Sequence, residues 1–269
     1  MVRRVFAKSY IILMLLFMYA PLIVLAIFSF TDTQNIGTWD GFSFKLYGLM
    51  FKNKDIMTAL YNTIMVALVS SLISTLLGTL GAIGIFYSGK KTKKAMEMTS
   101  QIPVLNAEIV TALSLTILFV FVGIEFNFIT LLIGHVVLTV PFVVLSITPK
   151  LKQMDPNIYE AALDLGATPQ QALKKVIMPE IMPGVFSGFT LAITLSLDDY
   201  IITAFTRNNS FQTLSTYVYG ATARKGALPP ALRALSTIIT VIILIGLIII
   251  NVKSKNNEKM EKHGWKKER

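Results

Sequence analysis

Cysteine is absent from the 269-residue chain, which excludes a disulfide framework and any thiolate metal site. Histidine occurs only at His135 and His263, so a histidine-rich zinc site is excluded as well. Charge is scarce: 15% of residues are Asp, Glu, Lys or Arg, against about 25% in a soluble domain. No Gly-rich loop closing on Lys-Ser/Thr is present, so the chain holds no phosphate cradle of the ATP-binding kind and no cofactor is expected on it.

What fills the chain is apolar. Hydrophobic residues make up 54% and the mean hydropathy is +0.63, the balance of an integral membrane protein. Six apolar runs predict an all-α protein of six transmembrane helices in one domain, 1–269. The spans fall at about 10–30, 59–87, 101–122, 128–147, 183–205 and 234–252, with a cytoplasmic loop at 148–182. The first run is long for the apolar core of a secretory signal and no small-x-small cleavage site follows, so it is expected to stay as a span. In the second, Ser70, Ser74, Gly78 and Ala82 recur every four residues and predict a face for close helix packing.

The net charge of +10 would suit nucleic acid, but its placement points to the bilayer instead. Lys and Arg gather at Arg3, Arg4 and Lys8, at Lys90 to Lys94, at Lys150, Lys152, Lys174 and Lys175, and in the tail after Val252. Fewer lie at Lys45, Lys52, Lys54, Arg207, Arg224, Lys225 and Arg233. By the positive-inside rule this asymmetry predicts a multi-pass protein of the bacterial cytoplasmic membrane with both termini in the cytoplasm.

Three carboxylates sit inside the apolar runs: Glu108, Asp198 and Asp199. An acid at a helix centre costs about 2.5–3.5 kcal/mol, so such groups face a water-filled path, a partner or the headgroups. No Lys or Arg lies within a span to pair with them. Ser187, Thr190, Thr194 and Asp198 share one helical stripe, and Ser196, Asp199 and Thr203 a second about 100° around. Two acidic faces suit a substrate with separated positive charges, for which Asp198, Asp199, Glu108 and Thr194 are the candidate path residues. Headgroup placement of the Asp pair, and local hydrogen bonding of Glu108 to Asn106, stay open. An intramembrane aspartyl protease is excluded, because its two carboxylates must face each other across a shared water.

Between the fourth and fifth runs lies a helical elbow. Asp155 can cap a first helix with Pro156 at its opening position, Gly166 suits the left-handed residue that ends it, Thr168-Pro169 restarts a helix and Pro179 stops it. Such an elbow serves equally as a plain tie between spans. The spacing is more particular: Glu160-Ala161-Ala162, three residues, Gly166, nine residues, then Val176-Ile177-Met178-Pro179. This resembles the signature loop of ABC importer permeases, with Val176 and Met178 where that family usually has Ile and Leu. Tyr61-Asn62-Thr63 and Ser196-Leu197-Asp198-Asp199-Tyr200 look like the permeases of spermidine/putrescine importers, in particular the second of their two paired permeases.

The resemblance implies a six-span type I importer fold and an elbow that seats on an ATPase, with Glu160, Ala161, Ala162, Gly166 and Pro179 as coupling residues. It also implies the partners: a second homologous permease subunit, a dimeric ATP-binding subunit and an extracytoplasmic polyamine-binding protein. ATP would be hydrolysed on the ATPase chain, and this chain would be no enzyme. Two alternatives remain, a related importer for another cargo such as ferric ion, and a proton-coupled secondary cation transporter.

Overall fold

A computed structural model describes residues 2–33, 37–155, 157–225 and 229–245. Helix α1, Val2–Ile27, runs into a 3-10 turn at Phe28–Phe30; α2 is Lys45–Lys52, α3 Lys54–Tyr87, α4 Lys90–Leu105, α5 Glu108–Val122 and α6 Phe128–Gln153. Then come α7, Ile158–Asp164, and α8, Pro169–Ala172. A π-helical turn, Leu173–Ile177, joins α8 to α9, Met178–Asp198; α10 is Ile201–Thr206 and α11 Leu214–Lys225. Helix α12 is Pro230–Ile245. Among the described residues no strand occurs.

Four stretches are long and apolar enough to cross a bilayer: Lys8–Phe30, Lys54–Tyr87, Phe128–Gln153 and Pro169–Asp198. The pair α4 and α5 gives a fifth if a bend of 102° is counted within one span. The sixth expected span, 234–252, is helical as far as Ile245, and the rest of it lies outside the described residues.

Two expected spans are broken. The run 101–122 is not one helix, because Asn106 and Ala107 are extended, with ψ of 145° and 133°. Pro103, one turn earlier, has already removed an amide donor from the end of α4. The run 183–205 ends as a helix at Asp198; Asp199 is extended, ψ 130°, and the chain restarts as α10. Nor does Pro179 stop a helix. It stands in the first turn of α9, directly after the π-helical turn, and the helix continues past Pro183. The amide that Pro179 lacks falls within a helix that runs on from α8, directly after the wider π-helical turn, where Met178 N–H bonds Leu173 O.

The chain divides into two compact units, residues 1–57 with 218–269, and residues 58–217. In the first, Phe30 packs on Phe42, Phe44 and Tyr47 with ring centroids 5.5, 5.7 and 5.3 Å away. Tyr47 also exchanges a 2.8 Å hydrogen bond with Ser29, and Trp39 lies edge-on to Phe28. These rings hold the segment around α2 together.

The second unit is built on α6. Gly78 of α3 stands so close that a Cβ there would lie 2.6 Å from Val143 Cγ1, while one on Gly188 of α9 would lie 3.2 Å from Val143 Cα. Gly184 meets Ile147 and Ser146 in the same way. Without a hydrophobic drive between helices in lipid, contact rests on such close backbone approach and on interhelical hydrogen bonds. Ser70, Ser74 and Ala82, the small face of α3, are buried beside Gly78; Ser74 bonds Thr139 of α6 at 2.6 Å. Ala82, Ile85, Val143, Val144, Ile147, Leu151, Ile177 and Ile181 close the core at one end of these helices.

Replacing Gly78 by Leu is expected to force α3 from Val143 and to lower the thermal denaturation midpoint of the purified protein, at a cost of about 1–3 kcal/mol. An unchanged midpoint would contradict the packing described.

Candidate functional site

The two helix breaks meet at one cavity. Pro103, Val104, Asn106 and Glu108 from the α4–α5 break line it with Leu138 and Phe142 of α6 and Thr194, Leu195, Asp198 and Asp199 from the end of α9. Its volume is about 280 Å³. Irregular backbone within a membrane is tolerated only where it is buried in protein or lines a water-filled cavity, and both breaks satisfy that condition.

Glu108, Asp198, Asp199 and Thr194, far apart in the chain, are thus brought together. Glu108 opens α5, where the unbonded amides of the first turn favour a negative charge. Asp198, the last residue of α9, is exposed, and so are Thr194, Thr190 and Ser187 in the stripe below it. The hydroxyls of Thr190 and Thr194 donate back to the carbonyls of Phe186 and Thr190, presenting their methyls and oxygen lone pairs outward.

Asp199 differs sharply from its neighbour. Only 4% of its surface is exposed. One oxygen accepts from the amide of Ile202 at 3.1 Å, the other from the amide of Thr203 at 2.8 Å and the hydroxyl of Thr203 at 2.6 Å. It is therefore the capping group of α10, and Ser215 donates to its own carbonyl at 2.7 Å. The stripe expected for Ser196, Asp199 and Thr203 does not run along one helix, since the helix ends between them; all three are buried inward instead.

His135 of α6 completes this inner side. It is 1% exposed on its side chain, with Nδ1 2.7 Å from Ser196 Oγ, Nε2 3.0 Å from Thr203 Oγ1, and Nε2 3.5 Å from Asp199 Oδ2. Sequence reasoning used this histidine only to exclude zinc; its signal was a titratable residue inside an apolar run. Among the described residues no three of His, Asp and Glu converge closely enough to hold a metal ion.

The elbow is a second surface. Helix α7 is seated by Tyr159, whose ring lies 5.3 Å from that of Tyr87 at the end of α3, and α8 by the buried Ala172. Gly166 has φ +86°, and Ala167 N–H reaches back to Ala162 O at 3.1 Å, closing α7 with a left-handed residue. Thr168 and Gln171 form a reciprocal capping box that starts α8. Asp155 accepts from Asn157 at 2.9 Å, and the expected placement of Pro156 lies outside the described residues. Glu160, Ala161 and Gly166 are exposed and Ala162 is half-buried, whereas Pro179 sits apart in α9. Leu165, absent from the expected coupling set, is 88% exposed at the corner.

Helices broken over an acidic cavity, with a buttressed elbow beyond their ends, are arranged in a fold shared with solved ABC transporters. A bacterial ABC transporter that imports the acidic polysaccharide alginate shares the fold at TM-score 0.71, with 17% identity over 95% of each chain. The MetNI methionine ABC transporter shares it at TM-score 0.55 over 74% of this chain and 95% of that one, at 18% identity.

The chain belongs to the family of binding-protein-dependent transport system inner membrane components, whose model matches residues 72–255. It is 30% identical over 259 residues to the spermidine/putrescine transport system permease protein PotC of Escherichia coli K12, covering 96% of this chain and 97% of that one. It is 31% identical over 230 residues to the putrescine transport system permease protein PotI of the same strain, covering 83% and 81%. PotC of Haemophilus influenzae is 32% identical over 243 residues, covering 90% and 93%.

Because Asp199 caps α10, Asp199→Ala is expected to leave two buried amides unbonded and to destabilise the protein by about 1–3 kcal/mol. Asp199→Asn, which keeps an acceptor, should cost less. Equal melting of the two variants and the parent would remove the capping role.

Proposed function

We propose that this chain is the membrane-spanning permease subunit of an ATP-driven importer for polyamines, forming part of their path and coupling to a separate ATPase through its elbow. One observation carries the reading: three carboxylates from two helix breaks share one cavity, and no Lys or Arg lines it. That field repels anions and favours a cation whose charges are spaced along a chain. Asp198, exposed beside the Thr194, Thr190 and Ser187 lane, is the contact group, and Glu108, hydrogen-bonded to Asp199, lines the same cavity. The names of the relatives point to the same cargo class.

In this reading the cargo is handed over by an external binding protein, and a second homologous permease supplies the facing wall. ATP closure of a dimeric ATPase moves the elbow, and α9, which follows from it through α8 and the π-helical turn, carries the Asp198 end of the path. Glu160, Ala161 and Leu165 are the exposed docking face, and this face is cytoplasmic, with both termini on the same side.

Uptake of radiolabelled spermidine by the reconstituted assembly tests the cargo, with putrescine and ferric ion as competitors. Competition by polyamines and none by ferric ion is expected; the reverse would move the chain to a ferric importer. Asp198→Asn is expected to cut uptake at least about tenfold, the loss of one charge-assisted contact, with assembly unaffected. Glu160→Lys is expected to abolish co-purification of the ATPase while the fold persists, and normal recovery of the ATPase would refute the docking face.

A further inference from the structure

We propose that His135 is a positioning residue for the acidic path: it fixes the Asp199 carboxylate through Thr203 and links it by a polarised hydrogen-bond chain to α3. The proposal rests on the cavity being the cargo path.

The direction of the chain follows from counting protons. An ionised carboxylate only accepts, so at 2.6 Å the Thr203 hydroxyl must donate to Asp199 Oδ2. Its single proton is then committed. His135 Nε2, 3.0 Å from the same hydroxyl, must be the protonated nitrogen and donate to it. In the neutral ring Nδ1 is left as an acceptor, and Ser196 donates to it at 2.7 Å. Ser196 in turn accepts from Ser70 at 3.0 Å, a better partner for Ser70 than the Ala67 carbonyl at 3.3 Å.

Every donor in the series Ser70, Ser196, His135 and Thr203 therefore points towards Asp199. The four side chains come from α3, α9, α6 and α10, and Ser70, Ser196, His135 and Thr203 are all buried. Chains of this kind polarise one another in a low dielectric, and a missing link leaves an unpaired buried group. The turn of α6 that bears His135 is itself braced, since Thr139 donates to the His135 carbonyl at 2.7 Å and accepts from Ser74 at 2.6 Å.

The arrangement divides labour between the acids. Asp199 is spent on its cap and on Thr203, so its carboxylate is held still and its charge is felt in the cavity without being free to grip a cargo. Asp198 is left to make contact, while Glu108 is hydrogen-bonded to Asp199. His135 is not itself among the residues that line the cavity; its hydrogen bonds go to Thr203 and Ser196, and its Nε2 lies 3.5 Å from Asp199 Oδ2.

A double-mutant cycle on the reconstituted assembly tests this, with spermidine uptake as the readout and co-purification of all subunits as the control for folding. His135→Leu and Thr203→Val each break the link between His135 and Asp199, and each is expected to lower uptake about tenfold, as for one buried hydrogen bond to a charged chain. The double variant should be no worse than the poorer single. His135→Gln, which retains an amide donor towards Thr203, should restore most of the activity. Multiplying losses in the double variant, or no rescue by Gln, would reduce His135 to a packing residue and overturn the proposal; so would single variants that transport normally. Failure of the underlying path reading is separate, since it would show as normal uptake by Asp198→Asn.

Discussion

A carboxylate buried in a membrane without a basic partner has to be satisfied by hydrogen-bond donors, and Asp199 finds its donors in backbone amides. Within a helical span the amides left free to donate lie in the first turn of a helix, and the chain meets the carboxylate by ending one helix and beginning another at that point. The break between α9 and α10 is thus the solution to a solvation problem posed by one side chain. Placed opposite the break at Asn106–Ala107, it opens a polar cavity inside an otherwise apolar bundle. The irregular backbone and the cavity need each other: either alone would leave polar groups facing lipid.

Helix α6 makes the arrangement rigid. Glycines at 78, 184 and 188 let its neighbours close on Val143 and Ile147, and Gly134 lets Ile202 and Thr206 of α10 approach within contact of its backbone. The Thr130 hydroxyl donates to the Thr206 carbonyl at 2.8 Å, so the end of the short α10 is also tied to α6. Small side chains and hydroxyls here do the work that hydrophobic burial does in water. The cavity is walled by a helix that has little room to move.

Much of this was legible in the residues, for identifiable reasons. Apolar runs marked the spans, and the four-residue recurrence of Ser70, Ser74, Gly78 and Ala82 marked a packing face that the structure buries. Glu108, Asp198 and Thr194 stood out as polar groups in apolar context, and they do share a cavity. The breaks did not stand out, because Asn106–Ala107 and Asp199 sit inside runs whose average hydropathy hides one or two extended residues. Treating Asp198 and Asp199 as successive positions on one helix therefore put both at the surface of a path, when one caps a new helix. His135 was missed because its partners lie more than sixty residues away, at Ser196 and Thr203. Spacing reports neighbours on a helix, not neighbours across one.

The π-helical turn at Leu173–Ile177 has a consequence for length tolerance in this part of the chain. Its wider ring holds one residue more than an α-helical turn, so excising any one of those five would let α8 and α9 join as ordinary helix. Because the lost residue is the extra one that the wide turn absorbs, everything beyond would keep nearly its present phase and height against the elbow. Gly184 and Gly188 would stay against α6, and the lane of Ser187, Thr190 and Thr194 would keep its face. A single-codon deletion there would spare the phase of the whole helix, whereas the same deletion inside the α-helical part of α9 would turn everything beyond it by about 100°.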